Sequence, residues 1–480
     1  MKKLFYPLLT VILLLAFVAR LYGINSPVAD WHSWRQSDTA AVARNFLKFG
    51  FNPLLPRYDD LSNIQSGMDN PLGYRMVEFP FYQVIGAGLF KFMPKLTLEV
   101  WLRLVTIAVS ALTALLLGII VSEMADPLTG LLAAGFFAFL PYNIYYGRTI
   151  LPDPLMVFGS ILSIYFCLKA RPGKGLKRWI LIALSGVAAS VAILVKPTAV
   201  FLLLPVFYLW LKEFKFKIKW LIEGMIFGLI ALAPFLWWRW WESHFPEGIA
   251  AYTWLLNGGN IRFKGAWFYW IFWQRLADLI LGSWGIILFT LGAVIPVSKK
   301  EGWFFRWWLL GTLAYLVVIA RGNVQHDYYQ ILIVPAVGIY AAKGLVFLLT
   351  NKTVDRSAGI ALAVTAVIFS LAFSWYTVRT YYWINHPEIV EAGRVADKLL
   401  PENAKVIAPY NGDTTFLYQI NRQGWPIGFD IDKKISEGAQ YYVTVSPTDN
   451  DAETKALAAR YTVLVRNDKF AIIDLTSPKQ

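Results

Sequence analysis

The sequence predicts a polytopic α-helical membrane protein of about eleven transmembrane helices, followed by a small soluble α/β domain. Three observations predict it. Of the 480 residues, 57% are hydrophobic and only 16% charged, whereas soluble domains carry about a quarter charged residues. Apolar runs close to the ~20 residues needed to cross a bilayer recur as far as residue 377. Aromatic residues reach 16%, and many of the 21 Trp stand near the ends of those runs, where an interfacial belt places them.

The net charge of +14 does not indicate a nucleic-acid partner. Residues 378–480 hold 12 Lys/Arg against 13 Asp/Glu, so the excess lies in the short loops of the apolar part. That placement is the pattern of topology determinants and of contacts with anionic lipid or phosphate. The single cysteine, Cys167, excludes a disulfide within the chain.

The first run, 4–24, follows a basic MKK start and lacks a small-residue cleavage site, so it is read as a retained span. The next segment, 25–99, is a large loop. In it, SDTAAVARNFLKFG forms an amphipathic helix with Ser37 as N-cap and Gly50 at its end. Val42, Phe46, Leu47 and Phe49 share a face suited to lying on a membrane surface. Residues 51–75, rich in Pro, Asn, Asp and Gly, are loop. The run FPFYQVIGAGLFKFM at 79–93 is short for a span. Further spans are predicted at 100–122, 128–146, 155–170, 178–195, 198–211, 219–241, 276–297, 305–321, 329–349 and 357–377. Pro197 and Pro205 make the 198–211 helix irregular.

If 79–93 lies flat or re-enters, the basic loops 169–178, 212–219, 298–306 and 351–356 share the side of the N-terminus. The positive-inside rule then makes that side cytoplasmic, although SEMADP at 122–127 has no Lys/Arg and contributes nothing. The expectation is a multi-pass inner-membrane protein with its N-terminus inside and its C-terminal domain outside. Residues 1–377 form the membrane domain, including the 25–99 loop. Residues 378–480 form the α/β domain. Its strands fall in LPENAKVIAPY, AQYYVTVS, RYTVLVRND and KFAIIDL, its helices in PEIVEAGRVADKLL and DAETKALAAR. It shows no phosphate-binding glycine loop, metal-ligand cluster or nucleophile motif.

Two carboxylates carry the functional reading. Asp38, in DWHSWRQSDTAAVARNF, and Asp153, in YYGRTILPDPLMVF, stand where apolar sequence gives way to polar sequence, each with an arginine close by (Arg35, Arg148). A carboxylate beside a bilayer is costly unless it faces water, a partner or a substrate. On the predicted topology both lie on the outer face, with Lys196-Pro197, the 242–275 loop and RGNVQHDYY at 321–329.

With these residues in view, the chain resembles the GT-C superfamily of membrane glycosyltransferases, and within it the protein O-mannosyltransferase and aminoarabinose transferase-like group. The family's acidic motif opening a helix in the first outer loop is matched by SDTAAVARNFLKFG, with Asp38 in the Asp place and Thr39 where a second carboxylate is common. VEFPFYQ supplies an acidic-Pro motif with Glu78, EVWLRL supplies Arg103, and Arg148 with LPDP supplies the next turn. Lys196-Pro197 and HDYY at 326–329 complete six motifs in order over roughly 1–350.

The resemblance implies transfer of a sugar from a polyprenyl-phosphate donor to an acceptor hydroxyl on the non-cytoplasmic face, with inversion at the anomeric carbon. The acceptor is a protein, lipid or glycan. Membrane lipid surrounds the enzyme, and nucleic acid plays no part. Asp38 would act as general base, and Asp153 would orient the sugar or its cationic neighbours. Arg35, Arg103, Arg148, Lys196 and Arg321, with His326, Asp327 and Tyr328, would bind the donor; Arg262 and Lys264 lie on the same face. The leaving phosphate needs cations to take up its growing charge. No cofactor is required, though Glu78 and His326 could contribute to a divalent-metal site.

Plainer readings stand beside these. Asp38 can cap or solvate a loop helix, and Asp153 can be an N-cap before Pro154. Arg148 and Lys196 can snorkel at span ends. At the level of the whole chain, a flippase of polyprenyl-linked glycan and a non-catalytic membrane assembly protein are the alternatives. A transporter's polar groups belong near mid-membrane, and its halves often repeat; neither feature is visible.

Overall fold

A computed structural model describes residues 2–213, 218–447 and 451–479. Residues 214–217, within the expected basic loop at 212–219, lie outside the described residues. The chain divides into two compact units. One comprises 1–24, 103–239 and 252–381; the other comprises 25–102, 240–251 and 382–480.

The first unit is helical. Among the described residues, six helical stretches are long and apolar enough to cross a membrane: Leu98–Met124, Asp153–Ala170, Gly175–Val195, Ile218–Glu242, Asp327–Thr350 and Arg356–Leu399, the last made of Arg356–Val378, the turn Arg379–Tyr382 and, beyond a break, Pro387–Leu399 of the second unit. The bent pair Gly265–Ile280 and Gly285–Val294, at 117°, gives a seventh if counted as one span. Shorter apolar helices cover Phe5–Arg20, Pro127–Phe139, Ala199–Lys212 and Phe304–Val318.

Local chemistry sets the breaks. Asp126 caps the helix Pro127–Phe139, accepting from the Leu128 and Thr129 amides at 2.9 and 3.0 Å, with Pro127 in the first turn. Pro141 then interrupts the expected 128–146 span into Pro127–Phe139 and Pro141–Tyr146. The 198–211 run is also broken, at Leu203, two residues before Pro205. The span expected at 276–297 begins earlier, at Gly265, winds as a π-helix over Tyr269–Ile280, and turns sharply before Gly285.

In hydrocarbon, helices gain little from burying apolar surface against each other, and close backbone approach through small residues holds them instead. The helices Gly285–Val294 and Val334–Thr350 meet this way. A Cβ on Gly292 would fall 1.9 Å from the Tyr340 carbonyl oxygen, and one on Gly344 would fall 1.9 Å from that of Leu288.

The second unit holds a five-stranded mixed sheet, order β2-β1-β3-β5-β4, from Val406–Ile407 (β1), Gly424–Trp425 (β2), Tyr441–Thr444 (β3), Tyr461–Arg466 (β4) and Ala471–Pro478 (β5). The strands β1, β3 and β4 fall in their expected segments and β5 begins in its own but runs three residues past it, to Pro478; β2 has only two residues and no alternating pattern to announce it. The helices Pro387–Leu399 and Thr415–Ile420 pack on one face, with Ile389, Ala392, Phe416 and Val443 in the core. Leu61, Ile407, Tyr442, Leu457 and Ile473 form a second core. The loop segment joins the sheet through main chain: the Leu61 amide donates to the Gly424 carbonyl and the Gly424 amide to that of Asp59, both at 2.8 Å.

Two local expectations change in this unit. The helix carrying Asp38 runs Ser33–Phe49, with His32 as N-cap, so Ser37 sits inside it and does not cap it. Gln36 is the physical reason: its Nε2 donates to Asp30 Oδ1 at 2.7 Å and to the Trp31 carbonyl at 3.0 Å, binding the incoming chain to the first turn. The same helix packs against Phe81–Phe92 and Thr415–Ile420 and buries Val42 and Phe46 with most of its residues, so it is not a helix lying bare on a lipid surface. Phe49 alone of the expected face is exposed, at 50%, while Leu47 is more buried. Gly50, at φ 103°, ends the helix as expected. The helix Phe81–Phe92, at 12 residues, is about 18 Å long, too short to cross a bilayer unaided.

Candidate functional site

Each unit contains a buried ionic cluster built on residues singled out in the sequence.

In the second unit, Asp38 sits in the second turn of its helix with 1% of its surface exposed. Its Oδ2 lies 2.9 Å from Arg75 Nη2, and its Oδ1 accepts from Thr414 Oγ1 at 2.7 Å. Gln65 Nε2 stands 3.5 Å from Oδ2, while Gln65 Oε1 accepts from Arg75 Nη1. Arg75 also lies over the Tyr58 ring, 4.9 Å from its centre. The carboxylate thus has a charged partner, a hydroxyl donor and an amide neighbour, and it keeps lone-pair capacity for a further donor.

Arg35, expected beside Asp38, serves a different acid. Its Nη2 donates to both Glu78 oxygens at 2.9 Å, and both side chains are nearly buried. Gln83 Nε2 stands 3.3 Å from Glu78 Oε1. Glu78 therefore meets a fixed cation, which does not fit a metal ligand. Among the described residues, no group of three His, Cys, Asp or Glu is arranged to hold a metal ion.

Asp60, which sequence reasoning missed, belongs to the same unit. It is fully buried; its Oδ1 accepts from the Ser62 amide at 2.8 Å, and its Oδ2 is buried without a hydrogen bond. Burial pushes its carboxyl up to about 7, with the Asp38 charge acting in the same direction and Arg75 opposing it. Burial likewise raises Asp413, next to Thr414, with the Asp38 charge again contributing.

In the first unit, Asp153 begins the helix Asp153–Ala170 behind the N-cap Pro152. It does not cap its own helix. Its Oδ1 accepts from Lys196 Nζ at 2.6 Å. Lys196 ends the helix Gly175–Val195, and its ammonium lies 4.1 Å from the centre of the Tyr329 ring and 5.3 Å from that of Tyr328. Lys196 therefore does not end in solvent as a snorkelling residue would: Asp153, 2% exposed, holds its ammonium beside two aromatic faces.

The HDYY segment is held from behind. Asp327 accepts from Tyr146 Oη at 2.6 Å and from Tyr381 Oη, and Arg275 Nη1 lies 3.8 Å away. Tyr142 Oη donates to the Asp327 carbonyl at 2.7 Å. His326 stacks on Tyr328, with ring centres 5.5 Å apart, and meets Trp254 edge-on. Arg103 and Arg148, both buried, donate to the Ile24 carbonyl at 2.7 Å and the Gly23 carbonyl at 3.0 Å, tying down the end of the first helical segment. Arg262 donates to the Leu256 carbonyl at 3.0 Å, and Lys264 is exposed. Arg321 is half-buried beside Gly258 and makes no hydrogen bond or ion pair among the described residues.

The partners Arg75, Gln65 and Thr414, and the cage of Tyr146, Tyr381 and Arg275, carry no motif of their own. Arg75 stands three residues before Glu78 in a segment read as loop, and that proximity to an acidic-Pro motif was the only signal available for it. Tyr329 closes the HDYY motif, but nothing in the sequence shows that its face meets Lys196.

Residues 8–245 match the family model described as dolichyl-phosphate-mannose-protein mannosyltransferase. No curated protein matches the chain at a significant level. Among solved structures, the fold is similar to ArnT from Cupriavidus metallidurans in the apo state, with a TM-score of 0.66 and 13% identity over 97% of both chains. The same protein bound to undecaprenyl phosphate gives 0.63 and 12%, again over 97% of both. The Archaeoglobus fulgidus oligosaccharyltransferase complexed with Zn and sulfate gives 0.55 and 10%, over 90% of this chain and 67% of that one.

Proposed function

Given its resemblance to the GT-C superfamily of membrane glycosyltransferases, the one its motifs pointed to, we propose that this chain transfers a sugar from a polyprenyl-phosphate donor to an acceptor hydroxyl. The observation that carries the reading is the ArnT-like fold over 97% of the chain, together with the mannosyltransferase-family match across 8–245, the stretch that contains Asp38, Asp153 and Lys196.

In this reading the acceptor O–H gives its proton to Asp38 while its oxygen attacks the anomeric carbon. The new glycosidic C–O bond forms as the bond from that carbon to the phosphate oxygen breaks. The configuration inverts, and polyprenyl phosphate departs with the electron pair. A positioned base contributes roughly 10²–10⁴-fold. Arg75 and Thr414 hold the Asp38 carboxylate and leave it able to accept one more hydrogen bond. Lys196 supplies the point charge for the leaving phosphate: one of its three donors goes to Asp153, and two remain. Asp153 therefore acts as a positioning residue for that cation. Arg321, whose guanidinium is otherwise unengaged, is a second phosphate contact. His326, Asp327 and Tyr328 order the Lys196 site. Arg35, Arg103 and Arg148 hold protein groups and contribute scaffold and field. A metal ion on Glu78 would have to displace Arg35, so Glu78 is read as the partner of that arginine.

The proposal includes eleven spans: the six long helices, the bent pair as one, and the four shorter apolar helices, which coincide in order with the eleven apolar runs of the sequence. The N-terminus is cytoplasmic, residues 1–377 form the membrane domain of an inner-membrane protein, and residues 378–480 and the reacting groups lie on the outer face. The sugar is a hexose or pentose, and the acceptor a protein, lipid or glycan. The test is reconstituted full-length protein with radiolabelled polyprenyl-phosphate sugars and a panel of acceptors. Label moving into acceptor, and lost with Asp38→Asn, is the expected result. Lipid crossing the bilayer with no new glycosidic bond, or no activity with any donor, would overturn the reading.

A further inference from the structure

An apolar cavity of about 320 Å³ lies within the first unit. Its walls come from the helices Asp153–Ala170, Gly175–Val195, Leu204–Glu213 and Ile218–Glu242, with Cys167, Ile182, Ile193, Leu203, Phe207 and Phe227 among the lining side chains. Its volume is in the range of small-molecule sites. Along Gly175–Val195 it extends from Arg178 to Ile193, roughly 22 Å at 1.5 Å per residue. That is an elongated, greasy space, shaped for a hydrocarbon chain.

One end is polar. There Asp153–Ala170 finishes, Gly175–Val195 begins, and Arg178 spans the gap. Its Nε and Nη2 donate to the two Glu223 oxygens at 2.9 Å, its Nη1 donates to the Ala170 and Arg171 carbonyls, and its guanidinium lies 4.6 Å from the Trp220 ring centre. Lys219 Nζ also lies 3.9 Å from Glu223 Oε1. Around this same end stand Lys174, Lys177 and Lys212, all exposed and without an acidic partner among the described residues. Leu176, between two of them, is 75% exposed, as a side chain facing lipid would be. Lys196 is at the other end of the same 21-residue helix, roughly 30 Å away.

We propose that this cavity binds an anionic glycerophospholipid, with one acyl chain inside and the phosphate headgroup among Lys174, Lys177 and Lys212. The unpaired lysines choose the occupant. A zwitterionic lipid offers them no net charge, while an anionic headgroup gains about 1 kcal/mol per nearby lysine. The lysine end lies at the opposite end of this helix from Lys196, and the proposal does not depend on the glycosyltransferase reading.

Gly228 provides a clean test. It lines the cavity, and a Cβ there meets nothing within 4 Å, whereas one on Gly224 would strike Trp210 at 2.2 Å. Gly228→Leu therefore starts from an open Cβ position, adds volume at the cavity wall and improves helix propensity. Full-length protein would be exchanged into detergent containing phosphatidylglycerol or phosphatidylcholine and weighed intact by native mass spectrometry. The expected result is one tightly retained phosphatidylglycerol, weaker retention of phosphatidylcholine, and loss of the retained lipid in Gly228→Leu. The double variant Lys174→Gln/Lys177→Gln should weaken phosphatidylglycerol retention about tenfold or more while leaving phosphatidylcholine unchanged. Equal retention of the two lipids, or retention indifferent to Gly228→Leu, would overturn the proposal. So would displacement of the lipid by polyprenyl phosphate, which would make the cavity a donor-tail groove. A native-like melting transition in both variants shows that they are folded.

Discussion

Asp38 and Arg75 form a buried ion pair, Oδ2 to Nη2 at 2.9 Å, with the Asp38 side chain fully enclosed and that of Arg75 7% exposed. Removing one member of such a pair leaves an uncompensated charge, costing about 3–5 kcal/mol. Arg75→Gln should therefore lower the thermal midpoint substantially. Asp38→Asn/Arg75→Gln should recover part of that loss while remaining unable to transfer sugar. A thermal-shift series on the two single variants and the double variant measures the coupling directly. A double variant as unstable as the sum of the singles would mean that the pair contributes no coupling.

Lys196 is held by Asp153 and by the face of Tyr329. Cation–π contacts are worth about 0.5–2 kcal/mol, so Tyr329→Leu should weaken donor binding by several-fold to about thirtyfold. Lys196→Met should do more, because it removes the charge itself. Asp153→Asn, which keeps a hydrogen-bond acceptor but no charge, should fall between them. Donor KM and kcat, measured separately with a polyprenyl-phosphate sugar, give the comparison. A Lys196→Met enzyme with unchanged donor KM and kcat would remove Lys196 from the site.

Asp60 sets a pH dependence that can be worked through in sign. Burial raises its folded-state value to about 7, above the usual carboxylate range. Between about pH 4 and 7 the unfolded chain has released this proton and the folded chain still holds it. Stability from this group is therefore fully present below about pH 4 and is lost as pH rises toward 7. Asp60→Asn keeps an acceptor for the Ser62 amide and has no charge to bury. The variant should gain stability relative to the parent at pH 8 and show little gain at pH 4. Melting curves of both proteins across that range check the slope, and a constant difference would show that Asp60 does not titrate there.

How far the chain could be read from its sequence follows from the physics of each feature. Apolar length is a one-dimensional property, so the runs around Gly175–Val195 and Arg356–Val378 are visible without a structure. Helix periodicity placed Asp38 in a helix, but the start moved from Ser37 to Ser33 because a side chain, Gln36, reaches back to Asp30. The acids themselves were conspicuous because charge in an apolar chain is rare. Their partners were not, because ion pairing depends on three-dimensional proximity: Asp38 meets Arg75 rather than its sequence neighbour Arg35, and Asp153 meets Lys196 rather than Arg148. The Tyr146 and Tyr381 hydroxyls on Asp327 come from helices far apart in the chain. Tyrosine in an apolar run reads as ordinary packing until its oxygen finds an acceptor.

The turn at Gly282 was equally hidden, since LGSWG inside a long apolar run looks like helix with tolerated glycines. Its cause is close packing. Gly282 has φ +51°, and a Cβ there would lie 2.1 Å from the Ser370 carbonyl oxygen and 2.6 Å from the Ser374 amide nitrogen. The hydroxyls of Ser370 and Ser374 donate to the Leu281 and Leu279 carbonyls at 2.7 and 2.9 Å, satisfying main-chain groups that the bend releases. In hydrocarbon such groups have no water to turn to. Gly282→Ala combines a left-handed conformation that disfavours a side chain with a backbone overlap, so both helices must move apart. The expected loss is at least about 1–3 kcal/mol, the range for a strained backbone position. Ser370→Ala, which removes one hydroxyl and creates no overlap, should cost only about 1–2 kcal/mol. Thermal midpoints of the two variants in the same detergent give the ranking, and a Gly282→Ala protein as stable as the parent would mean that the bend at 281–284 is not held by this contact.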